Sequence, residues 1–264
     1  AVQVIRANSR TKPFISAAQA NKISIPVSDH PDDAEAARQH MFSVTEKKLF
    51  SNSWFSDPMI LGSYPEQGIE LFEEYMPKNY QDDLWTIHQN LDYFATNIYS
   101  GVHVRTTENK GYEVIEEQEL PVTAMGWPVT PEALYWGPKL IHERYQLPVV
   151  VTENGMAVDD VVDNDKVIDK ERIDFLYKYL SEFSRAIDEG VPTYGYFIWS
   201  LMDNFEWAEG YSKRFGIVHV DYETQHRILK YSAHWYKALI ANHGASKTAD
   251  ITAEPVNKQS TEVV

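Results

Sequence analysis

The pattern of apolar and polar positions divides this chain into four strand candidates separated by long segments with helical periodicity. Consecutive β-branched and aromatic residues predict the strands Ile23–Val27, Tyr93–Tyr99, Val149–Glu153 and Tyr194–Ser200. Apolar runs of this kind are typical of parallel strands that are buried on both faces of a sheet. The intervals between them, about 45 to 70 residues, leave room for a helical crossover after each strand.

Helical periodicity is clearest between the last two strands. Asp169 precedes a segment whose apolar residues recur at helical spacing, and Gly190 predicts its end. The residues on that apolar face are Ile173, Leu176, Leu180, Phe183 and Ile187. A strand, a helix and a strand in this order form a βαβ unit, so we expect a parallel sheet with a right-handed crossover.

Weaker patterns predict the remaining elements. Residues 1–9 have the spacing of a helix end, and residues 101–116 alternate as in a hairpin that turns around Asn109-Lys110-Gly111. Three further helices are predicted, from Pro31 to about Lys48, from Pro131 to about Tyr145, and from Tyr231 to Ile240.

The strand count bears on the fold class. Four strands are half of those in a closed (β/α)8 barrel, although 264 residues would suffice for a whole one. We therefore expect residues 1–244 to form one α/β unit equivalent to half of a large barrel. Residues 245–264 are polar and lack periodicity, so we expect a disordered tail there.

Composition narrows the function. The formal net charge is −15 and the basic residues are not clustered, which argues against nucleic-acid binding. The absence of cysteine excludes a disulfide framework and a thiolate metal site, and it fits a cytoplasmic location. Since neither a signal peptide nor a run of about 18 apolar residues is visible, we expect no membrane span. The seven tryptophans and sixteen tyrosines suit either a carbohydrate site, where rings stack on sugar faces, or barrel packing.

Two carboxylates lie at the ends of neighbouring predicted strands. Glu153 ends the valine-rich strand and Glu206 follows the last one, while Trp199, Trp207 and Tyr99 belong to the same edge. Parallel α/β barrels have their chemistry at the carboxyl ends of the strands. Paired carboxylates with aromatic residues, and without clusters of His or Cys, indicate glycoside chemistry. The alternative is a solvated Glu206 in a loop and a Glu153 in an internal salt bridge.

Longer motifs extend this pattern over most of the chain. They are Asn97-Ile98-Tyr99, Met125-Gly126-Trp127-Pro128 with Pro131-Glu132, Thr152-Glu153-Asn154-Gly155, the run from Trp199 to Tyr211, Lys213-Arg214-Phe215-Gly216 and Val220-Asp221-Tyr222. With these motifs the chain resembles the C-terminal half of glycoside hydrolase family 1, the β-glucosidases, over about residues 1–242. The resemblance implies strands five to eight of a (β/α)8 TIM barrel and a retaining mechanism that needs no metal or organic cofactor.

By this resemblance Glu153 is the nucleophile that forms a covalent glycosyl-enzyme. Tyr99 would donate a hydrogen bond to it and hold its orientation. Both roles are physically reasonable, because the attacking carboxylate must be ionised and a phenol that donates to it favours the ionised form.

The resemblance also implies a set of sugar-binding side chains. Glu206 would accept from two hydroxyls of a terminal glucose. Because a carboxylate there would repel a phosphate group, we expect an unphosphorylated sugar, with Lys213 in the following loop as the contrary sign. The other implied residues are Trp207 as an indole N–H donor, Trp199 as the stacking floor, Trp127 at the aglycone entrance, Phe215 in the subsite wall, and Asn97. For Trp127 and Phe215 the alternative is ordinary packing.

Part of the family pattern is absent from these residues. The family's acid/base lies in a Thr-x-Asn-Glu-Pro motif at the end of the fourth strand, and no Asn-Glu-Pro occurs here. We therefore expect an N-terminal half of the same barrel, as a separate chain or a cleaved fragment, to supply the first four βα units and the general acid. A lone half-barrel would expose two unpaired strand edges and an open apolar layer.

The resulting hypothesis is a retaining β-glucosidase that hydrolyses β-linked glucosides or cello-oligosaccharides, as in cellulose degradation. Alone, the chain would be inactive or nearly so, because a missing general acid costs about 10²–10⁴ in rate. The alternative is a non-catalytic half-barrel that self-associates or only binds carbohydrate. A preference for galactosides, fucosides or thioglucosides also stays open.

Overall fold

The structure is a computed structural model that describes residues 1–47, 51–116 and 119–242. Its helices are α1 (Val2–Asn8), α2 (Pro31–Phe42), α3 (Asn52–Ile60), α4 (Glu66–Phe72), α5 (Tyr80–Ile87), α6 (Ala133–Tyr145), α7 (Lys170–Asp188) and α8 (Tyr231–Ala241). Its strands are β1 (Ala18–Ala20), β2 (Ile23–Pro26), β3 (Phe94–Asn97), β4 (Gly101–Thr106), β5 (Tyr112–Ile115), β6 (Val149–Asn154), β7 (Val162–Asp163), β8 (Lys166–Val167), β9 (Thr193–Ile198), β10 (Val218–Val220) and β11 (Arg227–Leu229). Single turns of 3-10 helix lie at Glu73–Tyr75 and Trp207–Glu209. The tail predicted over residues 245–264 lies outside the described residues.

Four parallel strands form the central sheet, in the order β1-β3-β6-β9. Val149, Val150 and Val151 of β6 are buried, as the apolar run predicts for an interior strand. Helix α7 connects β6 to β9, which confirms the predicted βαβ unit. The carboxyl ends of all four strands therefore lie along one edge of the sheet.

The sequence prediction is wrong for the first strand of this sheet. The apolar run Ile23–Pro26 does form a strand, but it pairs with β4. The strand that pairs with β3 is Ala18–Ala20. Its three residues are small or polar and lie at the sheet edge, so they lack the apolar pattern of a buried strand. Ile23 and Ile25 are buried in the main core instead.

A second sheet contains β2, β4 and β5. Strands β4 and β5 pair antiparallel, with Val104 opposite Val114, which confirms the predicted hairpin. Asp33 of α2 ties the helix to this hairpin, because its Oδ1 accepts from the Thr106 N–H at 2.9 Å. Hydrogen bonds from Ser28 and Thr106 lower the pKa of Asp33.

The predicted helices are present, with one early end. Helix α2 stops at Phe42 rather than near Lys48, because Ser43 is extended and β-branched residues follow it. Gly190 ends α7 with a φ of 96°, as expected. Ile187, predicted on the apolar face of α7, is 43% exposed. Within the described residues, no helix combines the length and apolar content needed to cross a bilayer.

The main core contains side chains of the central sheet together with those of α6 and α7. Its fully buried members include Leu134, Leu140, Ile141, Val149, Val151 and Leu176. Within the residues that the structure describes, β1 and β9 are the edges of the central sheet, since each pairs on one side only. Phe14, Tyr194 and Phe197, near these edges, are 68%, 60% and 60% exposed. The four strands thus form an open sheet rather than a closed ring.

Candidate active site

Glu153 lies at the carboxyl end of the interior strand β6, opposite Asn97 of β3. The register between the two strands shifts at this point. Tyr99, just beyond β3, donates a hydrogen bond from Oη to Glu153 Oε2 at 2.8 Å. Burial and the neighbouring Glu153 carboxylate raise the pKa of Tyr99, so the phenol remains a neutral donor. Glu153 therefore has a hydrogen-bond partner that fixes its orientation.

The Asn-Gly pair after Glu153 fixes the end of strand β6. Asn154 donates from Nδ2 to the Ile98 carbonyl oxygen at 2.8 Å and accepts from the Tyr196 hydroxyl at 2.7 Å. Gly155 lies against the backbone, because a Cβ there would be 1.8 Å from the carbonyl oxygen of residue 199. Glycine is thus required where two strand ends approach closely.

Three rings form an aromatic wall beside Glu153, which we define as Tyr99, Trp127 and Phe215. The Tyr99 ring contacts Trp127 and Phe215 edge-on, with centroids 5.1 Å and 6.2 Å apart. The Trp127 and Phe215 rings lie 6.0 Å apart. Phe215 is 2% exposed, whereas Trp127 is half-buried.

Glu206 lies on the loop after β9 and interacts electrostatically with Glu153. Burial raises the pKa of Glu206, a side-chain hydrogen bond from Trp199 opposes this rise, and the Glu153 charge adds to it. Glu153 ends β6 and Glu206 follows the neighbouring strand β9, while a shared role for the two carboxylates stays a prediction.

Buried charges hold the loop between β9 and Glu206. Asp203 is 4% exposed. It accepts hydrogen bonds from four groups: Arg214 Nη1 at 2.6 Å, Lys230 Nζ at 2.9 Å, the Gly216 N–H at 3.0 Å and the Val220 N–H at 3.3 Å. A buried carboxylate is stable only with partners of this kind, so these bonds fix the loop that carries Glu206.

The same charges continue toward α7 and α8. Asp160 accepts from both Lys230 and Arg172, and Arg172 also pairs with Asp169, the residue that precedes α7. Asp169 accepts in addition from the Ser232 N–H at 2.9 Å. Burial lowers the pKa of Lys230. We define the charge network as three carboxylates and three cations: Asp160, Asp169, Asp203, Arg172, Arg214 and Lys230.

Two further predicted site residues are placed at the same edge without contacts that reveal a role. Asn97 accepts from the Thr152 hydroxyl at 2.7 Å, so it orders the strand ends. Trp207 follows Glu206 on a single 3-10 turn, with a φ of 43° and 81% of its surface exposed. Among the described residues, its ring takes no part in the aromatic wall. The sugar contacts expected of Asn97 and Trp207 stay predictions.

Sequence reasoning missed the residues that support the site. The motifs contain Asn154 and Asp203 but do not indicate what these side chains bind, since their partners lie far away in the chain. An acidic residue inside an apolar and aromatic run, such as Asp203, is the available signal for a buried and paired charge. Tyr179 of α7 has no signal of its own, because a buried tyrosine on an apolar helix face resembles ordinary packing.

Two cavities of comparable size lie away from this pair of carboxylates. One, of about 550 Å³, lies between residues 47 and 87 and is lined by aromatic rings. The other, of about 500 Å³, borders Trp199 but neither Glu153 nor Tyr99. In the described part of the chain, no group of three or more His, Cys, Asp or Glu side chains is arranged to hold a metal ion.

Fold and site together define a partial (β/α)8 barrel. At its strand ends lie a carboxylate that accepts a hydrogen bond from a phenol, a second carboxylate and the aromatic wall. The family model of glycosyl hydrolase family 1 matches residues 1–245. The chain belongs to glycosyl hydrolase family 1, which confirms the resemblance seen in the sequence.

Individual relatives agree with this assignment. Beta-glucosidase A of Thermotoga maritima is 44% identical over 254 residues, which cover 91% of this chain and 55% of that protein. The 1,4-beta-D-glucan glucohydrolase of Thermotoga neapolitana is 48% identical over 223 residues, covering 83% and 49%. The solved family 1 b-glucosidase from Thermotoga maritima gives a TM-score of 0.77 at 42% identity, covering 93% of this chain and 54% of that one. The chain spans about half the length of the curated relatives it matches.

Proposed function

We propose that this chain forms the C-terminal half of a retaining β-glucosidase whose nucleophile is Glu153. The carboxylate attacks the anomeric carbon, the bond to the leaving oxygen breaks, and a general acid protonates that oxygen. Water, activated by the same group acting as a base, then releases the sugar and frees Glu153. The observation that supports this most directly is the 2.8 Å hydrogen bond from Tyr99 to Glu153. Beta-glucosidases among the relatives support the same reaction class.

The remaining site residues divide between sugar and aglycone. Glu206 and Trp207 would bind hydroxyls of the terminal glucose, and Trp199 would stack under its ring. The half-buried Trp127, backed by Phe215, would border the aglycone. Substrates would be β-linked glucosides or cello-oligosaccharides.

An unphosphorylated sugar suits this site best. The carboxylate of Glu206 would repel a phosphate group at the far side of the sugar. Lys213, the basic residue of the following loop, donates to the Ala124 carbonyl oxygen at 2.6 Å. This bond uses one of the three donors of its ammonium group and leaves the charge in place, so the preference for an unphosphorylated sugar rests on Glu206.

The other half of the barrel, with the general acid, would come from an N-terminal half, as a separate chain or a fragment. Two observations support such a partner: β1 and β9 each pair on one side only, and apolar rings near both edges are exposed. Without that acid, hydrolysis of ordinary glycosides would be slower by about 10²–10⁴.

A complementation experiment tests this proposal. The chain is co-expressed with the part of Thermotoga maritima Beta-glucosidase A that it does not match, and dinitrophenyl and alkyl β-glucosides are supplied. We expect the assembly to hydrolyse both, and the chain alone to fail with the alkyl glucoside, whose poor leaving group needs protonation. A 2-deoxy-2-fluoroglucoside with a dinitrophenyl leaving group should add one sugar mass to Glu153, and Glu153→Gln should prevent labelling. Assembly without hydrolysis or labelling would refute the function.

A non-catalytic half-barrel is the second candidate, because the exposed rings at the sheet edges also suit self-association. In that case the chain would form a homodimer that neither hydrolyses nor becomes labelled. A kinetic panel of glucosides, galactosides, fucosides and thioglucosides on the assembly distinguishes the remaining sugar preferences.

A further inference from the structure

The hydroxyl of Tyr179 joins the two loops that carry the aromatic wall, although Tyr179 belongs to α7. Its Oη donates to the Tyr99 carbonyl oxygen at 3.0 Å. The Tyr179 Oη also accepts from the Thr130 N–H at 2.8 Å. Thr130 Oγ1 in turn accepts from the Gly101 N–H at 2.8 Å. These bonds connect the segment after β3 with the segment that leads from Trp127 into α6.

This junction is buried and rigid. Tyr179 is fully buried and Thr130 is 1% exposed. The Tyr179 ring stacks on Phe175, with centroids 4.0 Å apart and planes 22° from parallel. Burial raises the pKa of Tyr179 to about 12, so its hydroxyl keeps its proton at neutral pH. When a buried hydroxyl that both donates and accepts is removed, solvent cannot replace its hydrogen bonds, and its former partners are left without them.

We infer that Tyr179 is a positioning residue for the reaction of Glu153, acting through the backbone of Tyr99. It fixes the distance between the loops of Tyr99 and Trp127, and thereby the approach of the Tyr99 hydroxyl to Glu153. Tyr179 lies outside the cleft and would touch no substrate. Its role rests on the function proposed above and extends the site to α7.

The variant Tyr179→Phe tests this role, since it removes one oxygen atom and keeps the stacked ring. In the assembled enzyme we expect kcat to fall about 3- to 10-fold with little change in KM. Tyr177→Phe, on the same helix and 37% exposed, is the matched control and should change neither quantity.

A double-mutant cycle separates positioning from general stabilisation. If Tyr179 acts through Tyr99, adding Tyr179→Phe to Tyr99→Phe should slow turnover no further than Tyr99→Phe alone. Losses that multiply would overturn the inference. An unchanged kcat in Tyr179→Phe would overturn it as well.

Hydrogen exchange provides a readout that does not depend on activity. In Tyr179→Phe, the amides of peptides covering residues 98–101 and 128–130 should exchange faster than in the parent, and equal exchange would refute the junction. If the parent assembly is inactive, the proposed function fails while this comparison still decides the role of Tyr179. Should Tyr179→Phe not fold, Thr130→Val removes the Gly101 bond and should lower kcat with little change in KM; an unchanged kcat counts against the inference.

Discussion

The ends of strands β6 and β9 hold their carboxylates in contrasting ways. Strand β6 pairs on both sides, its valines are buried, and Glu153 at its end receives a hydrogen bond from Tyr99. Strand β9 pairs on one side, exposes Phe197, and depends on buried ion pairs around Asp203 to hold its loop. The end of the interior strand is therefore held by buried apolar side chains and a neutral hydrogen-bond donor, and the loop after the edge strand is held by buried ion pairs.

This difference separates what the half-barrel contains from what it lacks. The candidate nucleophile and its phenol donor are both present and in contact. The loop that would bind the sugar is fixed at its base, but Trp207 near its tip is largely exposed. The proposed nucleophile and its hydrogen-bond donor are thus placed by this chain itself, whereas the proposed general acid and the rest of the sugar site would come from the N-terminal half.

The largest expected effect concerns the interior strand end. In the assembled enzyme, Glu153→Gly should lower hydrolysis by on the order of 10⁴-fold or more, as removal of a covalent nucleophile does in other hydrolases. The same variant should still synthesise glycosides from an α-glucosyl fluoride, which replaces the missing covalent intermediate. Retained hydrolysis of a dinitrophenyl glucoside would remove Glu153 from its role.

The next effect concerns the charge network under the edge loop. Asp203→Asn leaves Arg214 and Lys230 without their carboxylate, and breaking a buried pair in this way costs about 3–5 kcal/mol of unfolding free energy. Denaturant titration of the assembly measures this loss. Asp159 is an exposed acidic residue, so Asp159→Asn should change the free energy of unfolding by less than about 0.5 kcal/mol. Equal effects of the two substitutions would contradict the network's role.

Removal of the phenol donor should have an intermediate effect. Tyr99→Phe deletes a hydrogen bond to a charged group, which is worth about 1.5–3 kcal/mol and corresponds to roughly 10- to 100-fold in kcat. KM should change little, because Tyr99 bonds the attacking carboxylate. An unaltered kcat would leave Tyr99 with a packing role only.

How far the sequence predicts this molecule differs between the same two regions. The run Val149–Val151 predicts the interior strand correctly, since continuous apolar residues have few other places to lie in a parallel sheet. The edge strand Ala18–Ala20 escapes prediction, because an edge needs no apolar run. The apolar run at Ile23 has the stronger strand pattern and is therefore predicted instead, but its strand belongs to the second sheet. The local pattern of apolar residues indicates which residues are buried and does not indicate which strands pair.

The candidate site shows a similar division. Motifs identify Glu153, Tyr99 and Glu206, whose spacing is typical of the family. Residues that hold them are harder to find, because Asp203 meets Lys230 and Tyr99 meets Tyr179 only after the chain has folded. Single-sequence patterns describe neighbours along an element, and these contacts connect different elements.

Sugar recognition should be less sensitive than bond breaking. Glu206→Gln keeps the shape of the side chain but weakens acceptance from two hydroxyls, so the preference for glucosides over their epimers should fall about tenfold. Because burial raises the pKa of Glu206, the parent should lose this preference on acidification at a higher pH than an ordinary carboxyl would require. The ratio of kcat/KM values across a panel of aryl glycosides measures both effects. An unchanged glucose preference would place Glu206 outside the sugar site.

The smallest effect tests whether the edge strand meets a partner. Phe197 is 60% exposed on β9, so Phe197→Ala should barely change packing within this chain, whereas Phe183→Ala in the core should cost about 3–5 kcal/mol. If an N-terminal half covers β9, Phe197→Ala should weaken assembly by about 1 kcal/mol, roughly fivefold in Kd. Tyr177→Ala, exposed on α7 away from the sheet edge, should leave that Kd unchanged. Equal Kd values for Phe197→Ala and Tyr177→Ala would mean that the partner docks elsewhere. Strand β9 would then be an uncovered sheet edge in the assembly, and the exposure of Phe197 would not mark an interface.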